Sequence, residues 1–160
     1  MNKINAILSN KLYIQCMRDI SIQEKDRKYC CHGIEHSLDV ARIAYIITLE
    51  RGLSFSKELI YAMALLHDIG RCEEYSDKVP HAQAGAKLAE TILEECDFSK
   101  EDTELICRAV LTHKNKSERD DESLDSLLVY ADRISRNCFA CSSYDGCYWN
   151  EELKNKNITY

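Results

Sequence analysis

A scarcity of chain breakers is the feature that most restricts the fold of this chain. Only one proline and five glycines occur in 160 residues, whereas a sandwich or barrel of short strands needs many more tight turns. No segment alternates apolar and polar residues over the length of a strand, but several carry apolar residues at helical spacing. The sequence therefore predicts an all-α protein. Its length suits one hydrophobic core, so we expect a single domain over residues 1–160.

About six helices are expected from apolar periodicity and end signals. Gly52 ends the second helix, Gly70 ends the third, and Ser99 begins the fifth with a capping box. The third helix is the most apolar and should be the buried centre of a helical bundle. Charged residues 114–122 should form a surface loop. The six predicted helices cover about residues 4–18, 33–50, 56–69, 82–96, 99–113 and 124–134.

Charge and hydropathy restrict the partners and the location. The net charge of −6 at pH 7 weighs against nucleic acid, because binding a phosphate backbone needs a basic face. A small phosphorylated ligand is compatible with this negative charge, because a bound metal can reverse the sign of the local electric field. No apolar run approaches the roughly 18 residues that a membrane span needs, and residues 1–9 do not resemble a signal peptide. A cytoplasmic location without membrane contact is predicted.

Polar residues stand in apolar surroundings at two places. His67 and Asp68 directly follow the most apolar helix, and Asp132 follows an apolar run in the last helix. Burying such groups is costly unless something compensates them, and imidazole with carboxylate suits a first-row divalent metal. Taken singly, each residue is explained better by backbone hydrogen bonds or, for Asp132, by an arginine partner than by a metal.

These residues belong to an ordered set of segments: HSLDVARIA (36–44), ALLHDIGR (64–71), HAQAGAKLAE (81–90), AVLTHK (109–114) and VYADRIS (129–135). A lone His-Asp pair is a weak signal, but the five segments in this order on predicted helices are specific. Over about residues 30–136 the chain resembles the HD superfamily of metal-dependent phosphohydrolases. The resemblance implies hydrolysis of a phosphoester or phosphoanhydride bond of a nucleotide-like small molecule by a metal-activated water, with Asp68 and Arg71 as catalytic residues.

The resemblance also implies the metal ligands. In the family one metal is bound at the positions of His36, His67, Asp68 and Asp132. Members that bind a second metal have two further histidines, here His81 and His113, with the Asp68 position bridging. The chain is in this respect similar to bacterial proteins that cleave dinucleoside tetraphosphates. We expect one or two ions of Fe, Mn, Co, Zn or Ni per chain.

Three basic residues are candidates to bind substrate. Arg71 follows the His-Asp turn, and its planar guanidinium suits a phosphate; an ion pair is an equally supported alternative. For Lys114 and Arg133 we favour a solvated charge over phosphate binding. His32, four residues before His36, could line the pocket, but a histidine at a helix start without a metal is the favoured interpretation.

The nine cysteines divide into three groups of three. Three lie in helical patterns and should be small buried hydrophobes: Cys16, Cys96 and Cys107. Three others lie together after the resemblance ends, in the extension 137–160: Cys138, Cys141 and Cys147. Their C-x-x-C spacing is typical of zinc or iron–sulfur sites, but a fourth ligand is missing nearby. Cys30, Cys31 or Cys72 could supply it; reduced, partly buried thiols are the favoured alternative to a metal or redox site.

Two other functions remain open at this stage. Some HD-like domains are metal- or ligand-binding regulatory modules with little turnover, and a few relatives of the fold are di-iron oxygenases. As partners we expect a small phosphorylated molecule, in particular a nucleotide, and a second copy of the chain in a homodimer.

Overall fold

The computed structural model describes residues 1–114 and 122–160, and all regular structure in these ranges is helical. The all-α prediction is thereby confirmed. The helices are α1 Asn2–Ser9, α2 Lys11–Gln23, α3 Ile34–Arg51, α4 Lys57–Leu66, α5 Arg71–Asp77, α6 His81–Glu95, α7 Lys100–Thr112 and α8 Leu124–Ile134, followed by a 3-10 turn at Cys138–Ala140. Most of the predicted loop at 114–122 lies outside the described residues.

The N-terminal segment differs from the single helix expected over residues 4–18. Asn10 adopts an extended backbone conformation (φ −67°, ψ 131°), and its side chain accepts hydrogen bonds from the backbone N–H groups of Leu12 and Tyr13. This is the geometry of a helix N-cap, so α1 ends before Asn10 and α2 begins after it. The apolar spacing continues across the break, which is why periodicity alone predicted one helix.

The core surrounds α4, where seven of ten residues are buried. Helix α3 packs along α4, α6 packs along α7, and α8 contacts both α3 and α7. Cys16 and Cys96 are buried in the core, and Cys107 is half-buried against it, as predicted for small apolar residues. Within the described ranges no helix is long and apolar enough to span a membrane.

Helix α4 ends at Leu66, earlier than the predicted residue 69, and α5 begins at Arg71. The intervening residues 67–70 form a tight turn that carries His67 and Asp68. The short helix α5 was not predicted from the apolar pattern. With the split of the first helix, α5 accounts for the two α-helices beyond the six expected.

Candidate metal centre

Six predicted ligands converge in the middle of the bundle, and we call them the His/Asp centre. They form two sets, and within each set one ligand atom per residue lies within 4.8 Å of the others. The sets share Asp68. The first consists of His36, His67, Asp68 and Asp132, and the second of Asp68, His81 and His113.

Each ligand stands at or near the end of a helix that packs in the core. His67 and His113 directly follow α4 and α7, and His81 is the first residue of α6. His36 lies in the first turn of α3, and Asp132 lies in the last turn of α8. Five helices that share one core thus bring together residues that are far apart in sequence.

The two carboxylate oxygens of Asp68 face different histidines. Oδ2 lies 3.0 Å from Nε2 of His67 and 3.8 Å from Nε2 of His36. Oδ1 lies 3.9 Å from Nε2 of both His81 and His113. The residue therefore stands between the two sets, with one oxygen directed at each.

Backbone carbonyls orient two of the imidazole rings. Nδ1 of His67 donates to the carbonyl oxygen of Ala64 at 2.7 Å, and Nδ1 of His113 donates to that of Val110 at 2.6 Å. A proton held at Nδ1 leaves a lone pair on Nε2. In both rings that lone pair is directed at the shared carboxylate.

Buried polar atoms without partners mark the same place. Buried side-chain atoms normally form hydrogen bonds. Five buried side-chain atoms in the described ranges have no hydrogen-bond partner, and four of them belong to the His/Asp centre. These are Nε2 of His67, His81 and His113 and Oδ2 of Asp68. Nitrogen lone pairs and a carboxylate oxygen facing one another repel unless a cation lies among them, so these residues fit a divalent metal.

Electrostatics favour positive charge at this position. Burial raises the pKa of Asp68, but His67 and Arg71 outweigh it and hold that pKa well below its usual value. Burial lowers the pKa of His67, but the Asp68 carboxylate outweighs it and raises that pKa above normal. Without a metal, the centre thus attracts a proton onto a buried imidazole. A metal ion would supply the same charge.

The remaining histidines stay neutral at pH 7. Burial lowers the pKa of His36 and of His113 to about 4 in each case, and it also lowers the pKa of His81. Metal ligation requires the unprotonated ring. These three side chains are therefore ready to bind metal at neutral pH without first losing a proton.

Arg136 is a centre residue that sequence reasoning missed. Its Nη2 donates to Nε2 of His36 at 2.8 Å and lies 3.7 Å from Oδ1 of Asp132. Nε2 of His36 lies 3.1 Å from the same Oδ1. One guanidinium group thus contacts both an imidazole and a carboxylate of the His/Asp centre. Arg136 lies two residues after the end of α8, so its spacing of four residues from Asp132 was a weak signal in the sequence.

Two glutamates orient the centre from outside and were also missed. Nδ1 of His81 donates to Oε1 of Glu74 at 2.8 Å. Glu24 is buried and accepts from the hydroxyl of Tyr75 at 2.6 Å and from the ring and backbone N–H of His32. Burial raises the pKa of Glu24, but the bonds from His32 outweigh it and lower the pKa to about 2. Both carboxylates are ionised and fix ring orientation.

His32 lies beside the centre but in neither ligand set. Its Nε2 is 3.9 Å from Oδ2 of Asp68, while its Nδ1 is bound to Glu24. It precedes α3 and is almost fully buried. The structure thus places His32 beside Asp68 and outside both ligand sets.

The basic candidates occupy three different environments. Nε of Arg71 donates to Oδ1 of Asp68 at 2.8 Å, and Nη1 donates to Oε2 of Glu74 at 3.3 Å, so this buried guanidinium holds carboxylates of the centre. Lys114 is exposed and directly follows His113. Arg133 is exposed, and its guanidinium lies 5.6 Å from the ring centroid of Tyr130 rather than in the ligand sets.

Gly70 permits the close approach on which the second set depends. A Cβ at this position would lie 2.1 Å from the carbonyl oxygen of His81 and 2.3 Å from the backbone nitrogen of Gly85. No side chain fits there, so the turn after Asp68 rests directly on the start of α6. This contact brings His81 next to Asp68.

The cysteines of the extension lie apart from the His/Asp centre. Cys138, Cys141 and Cys147 line a small cavity together with Cys30. The other two candidates for a fourth ligand are elsewhere: Cys31 is exposed, and Cys72 lies beside Cys16.

Comparison with known proteins agrees with this geometry. A family model described as HD domain matches residues 33–137. An uncharacterized protein of Clostridium beijerinckii is 40% identical over 160 residues, which is 100% of each chain. A solved structure described as a predicted HD superfamily hydrolase, from an uncultured Thermotogales bacterium, has a TM-score of 0.62 and 25% identity. The similarity covers 88% of this chain and 80% of that one.

Ribonuclease Y is similar over a shorter part of its own length. The protein from Mycoplasma mycoides is 25% identical over 84% of this chain and 29% of its own. That from Clostridium botulinum (strain Hall) is 28% identical over 78% of this chain and 22% of its own. The chain thus corresponds to about a quarter of each ribonuclease.

The family match covers more than half of the chain and includes all six residues of the His/Asp centre. The fold, the order of the motifs and the buried ligand atoms agree with it. The chain therefore belongs to the HD domain family, and it is a metal-dependent hydrolase, as the sequence predicted.

Proposed function

We propose that this protein hydrolyses a phosphoester or phosphoanhydride bond of a small, nucleotide-like molecule. The observation that carries the proposal is the position of Asp68, whose two oxygens face two sets of histidines. A carboxylate placed in this way suits two divalent ions side by side, and paired ions are used widely in phosphoryl chemistry. Binding of two ions, rather than one, is part of the proposal.

A bound divalent ion would supply an acidified water with a pKa of about 7 and would offset charge on the phosphoryl group. The chain itself keeps the ligands oriented. The carbonyl oxygens of Ala64 and Val110 hold protons at Nδ1 of His67 and His113, and Glu74 does the same for His81. Such outer partners set the tautomer and the basicity of a ligating histidine.

Arg136 and Lys114 are the best placed residues to bind the substrate phosphate. Arg136 reaches both His36 and Asp132, and Asp132 is the most exposed side chain of the six ligands. Lys114 is exposed next to His113. Arg71 binds two carboxylates, so we assign it the positioning of Asp68 rather than direct phosphate binding.

A small substrate is favoured over nucleic acid by the acidic chain. The net charge is −6 at pH 7, and a polyanionic backbone needs a broad basic surface, whereas a single phosphate group needs only local cations. The similarity to ribonuclease Y covers about a quarter of that protein, so cleavage of RNA is kept as an outcome of the test.

The test is a hydrolysis panel with Mn, Co, Fe, Zn or Ni added singly to metal-free protein. Substrates are nucleoside mono-, di- and triphosphates, dinucleoside polyphosphates and a short single-stranded RNA. We expect product from a small nucleotide and its loss in Asp68→Ala and His67→Ala. Asp39→Ala, which changes a half-exposed acid that lies near Arg42, is the matched control and should remain active.

Other outcomes would replace the proposal. Product from RNA alone would make the protein a nuclease. Thermal stabilisation by a nucleotide without product would indicate a regulatory module, and consumption of dioxygen by the iron-loaded protein would indicate an oxygenase.

A further inference from the structure

A second cluster of metal-binding side chains lies outside the His/Asp centre. Four cysteines, with two tyrosines, a tryptophan and Lys154, line a cavity of about 20 Å³. We call the four the thiol cluster: Cys30, Cys138, Cys141 and Cys147. A cavity of this size holds one water molecule, and therefore one small ion. All four cysteines are free.

Two distant segments of the chain supply the cluster, and specific contacts hold them together. Cys30 lies before α3, whereas the other three belong to the extension 137–160. The hydroxyl of Tyr29 donates to the carbonyl oxygen of Gly146 at 2.6 Å, and Oγ of Ser143 donates to that of Lys28 at 2.9 Å. The meeting of the four cysteines is thus part of a defined interface.

The local conformation at Cys138 and Cys141 suits joint coordination. The segment between them forms a 3-10 turn, and the backbone N–H of Cys141 donates to the carbonyl oxygen of Cys138 at 3.1 Å. Pairs with C-x-x-C spacing in a turn are typical of structural zinc sites, which take four sulfur or nitrogen ligands in a tetrahedron. Cys147 and Cys30 supply the other two of the four ligands.

The charges around the cluster also suit a tetrathiolate. Burial and the three other cysteines raise the pKa of Cys30, whereas the positive charge of Arg136 acts in the opposite direction. Four thiolates around one divalent ion carry a net charge of −2. The side chain of Lys154 is only 7% exposed, and its ammonium lies 4.2 Å from the ring centroid of Tyr144. This ammonium already donates to Oε1 of Glu151 at 2.8 Å, so the Arg136 guanidinium, whose charge acts on Cys30, is the group that would offset part of the tetrathiolate charge.

We propose that the thiol cluster is a structural zinc site that closes when the ion binds. The sulfurs are more widely spaced than the ligands of the His/Asp centre, because no three of them lie within 4.8 Å of one another. A change of χ1 rotamer moves a cysteine sulfur by up to about 3 Å without moving the backbone, and we expect such changes to close the set around the ion. Each coordinated thiol releases its proton to solvent, and no oxidant or reductant is needed.

Such an ion would fasten the extension beside the His/Asp centre. Nη1 of Arg136 donates to the carbonyl oxygen of Cys31 at 2.9 Å, while Nη2 reaches His36. Cys31 adjoins Cys30, and Arg136 stands two residues before Cys138. Zinc at the thiol cluster would therefore stabilise the position of Arg136 without taking part in hydrolysis.

Cobalt substitution tests the proposal independently of hydrolysis. Only thiolate ligands give Co²⁺ strong charge-transfer absorption in the near ultraviolet, and the His/Asp centre contains no cysteine. We expect this band with one equivalent of Co²⁺ in reduced His67→Ala/Asp68→Ala, where the His/Asp centre is disabled, and with about three equivalents in reduced wild-type protein, whose His/Asp centre takes up to two ions. In the double variant, one equivalent of Zn²⁺ should abolish the band.

Variants at the cysteines give the matched comparison. Cys141→Ser should weaken the charge-transfer band and lower zinc affinity at least tenfold, whereas Cys31→Ser, which changes an exposed neighbour of Cys30, should leave both unchanged. Because the band is measured first in wild-type protein, a misfolded variant does not decide the result. Absence of the band, a disulfide between Cys138 and Cys141 in freshly reduced protein, or the brown absorption of an iron–sulfur cluster would overturn the proposal.

Discussion

The His/Asp centre and the thiol cluster contrast in how far each is assembled before a metal binds. In the first, the ligand atoms of each set already lie within 4.8 Å, whereas no three sulfurs of the second do so. The difference follows from the supporting elements. Ends of core helices position the histidines, while turns of the extension carry three of the four cysteines. Packed helices can hold buried ligands in place against their mutual repulsion.

The two regions also differ in what lies around the ligands. Ionised carboxylates and two arginines surround the His/Asp centre, where four buried atoms have no partner. Aromatic rings line the cavity of the thiol cluster. A site that binds substrate must keep an open metal position, whereas a structural zinc site is closed.

The largest effect is expected from Asp68→Ala. Both ligand sets lose their shared carboxylate, so the rate of hydrolysis should fall about a thousandfold or more, measured as phosphate release at saturating metal. The cobalt charge-transfer band of the thiol cluster should persist. Loss of that band together with activity would show that the two regions are not independent.

A large loss of stability is expected from Gly70→Ala. The added Cβ would overlap the backbone of His81 and Gly85, so α6 must move, at a cost of about 3 kcal/mol in the free energy of unfolding. Urea denaturation measures this cost. Gly52→Ala is the control: its φ of 66° costs about 1 kcal/mol, but nothing lies within 4 Å of the added Cβ. Equal losses in the two variants would contradict the close packing of this turn.

Acidification of metal-free protein should lower stability through the His/Asp centre. Burial holds the pKa of His36 and His113 at about 4, below the unfolded value of about 6.5. Between these values the unfolded chain binds more protons, so stability falls with falling pH. The pKa of His67 is raised instead. The stabilisation that His67 contributes is therefore present at acidic pH and is lost only as the pH rises above about 6.5.

We expect a loss of about 2–3 kcal/mol between pH 6.5 and pH 5, measured by chemical denaturation after chelation. His113→Asn should reduce this slope. Cys30 of the thiol cluster should contribute nothing in this range, because burial raises its pKa further above neutrality. An unchanged slope in His113→Asn would contradict the assignment to the His/Asp centre.

The smallest effect is expected from Glu74→Gln. The amide keeps the size of the side chain but weakens the hold on Nδ1 of His81, and loss of an outer partner lowers metal affinity about tenfold or more. Competition with a chelator should show weaker binding of one ion and an unchanged second ion. Glu73→Gln, one residue earlier on α5, is the control.

Residue type and order were sufficient to predict much of this molecule. The apolar periodicity predicted the helices from α3 onward except α5, and the motif order predicted which histidines and aspartates would meet. Apolar periodicity is a local property of the sequence, and the order of the ligands is part of motifs that the family shares. The break at Asn10 was missed because one capping side chain interrupts α1 and α2 without changing the apolar spacing.

What surrounds the ligands depended on contacts between residues far apart in sequence. Glu24 and Tyr75 meet only because α2 packs on α5, and spacing does not encode such a contact. In the same way, three cysteines were equal candidates to join the extension, and the path of the chain before α3 selects Cys30. The sequence by itself determined the helices and the chemical types of the ligands. Only tertiary packing decided which charges and thiols lie beside them, because burial and distance arise when the helices come together.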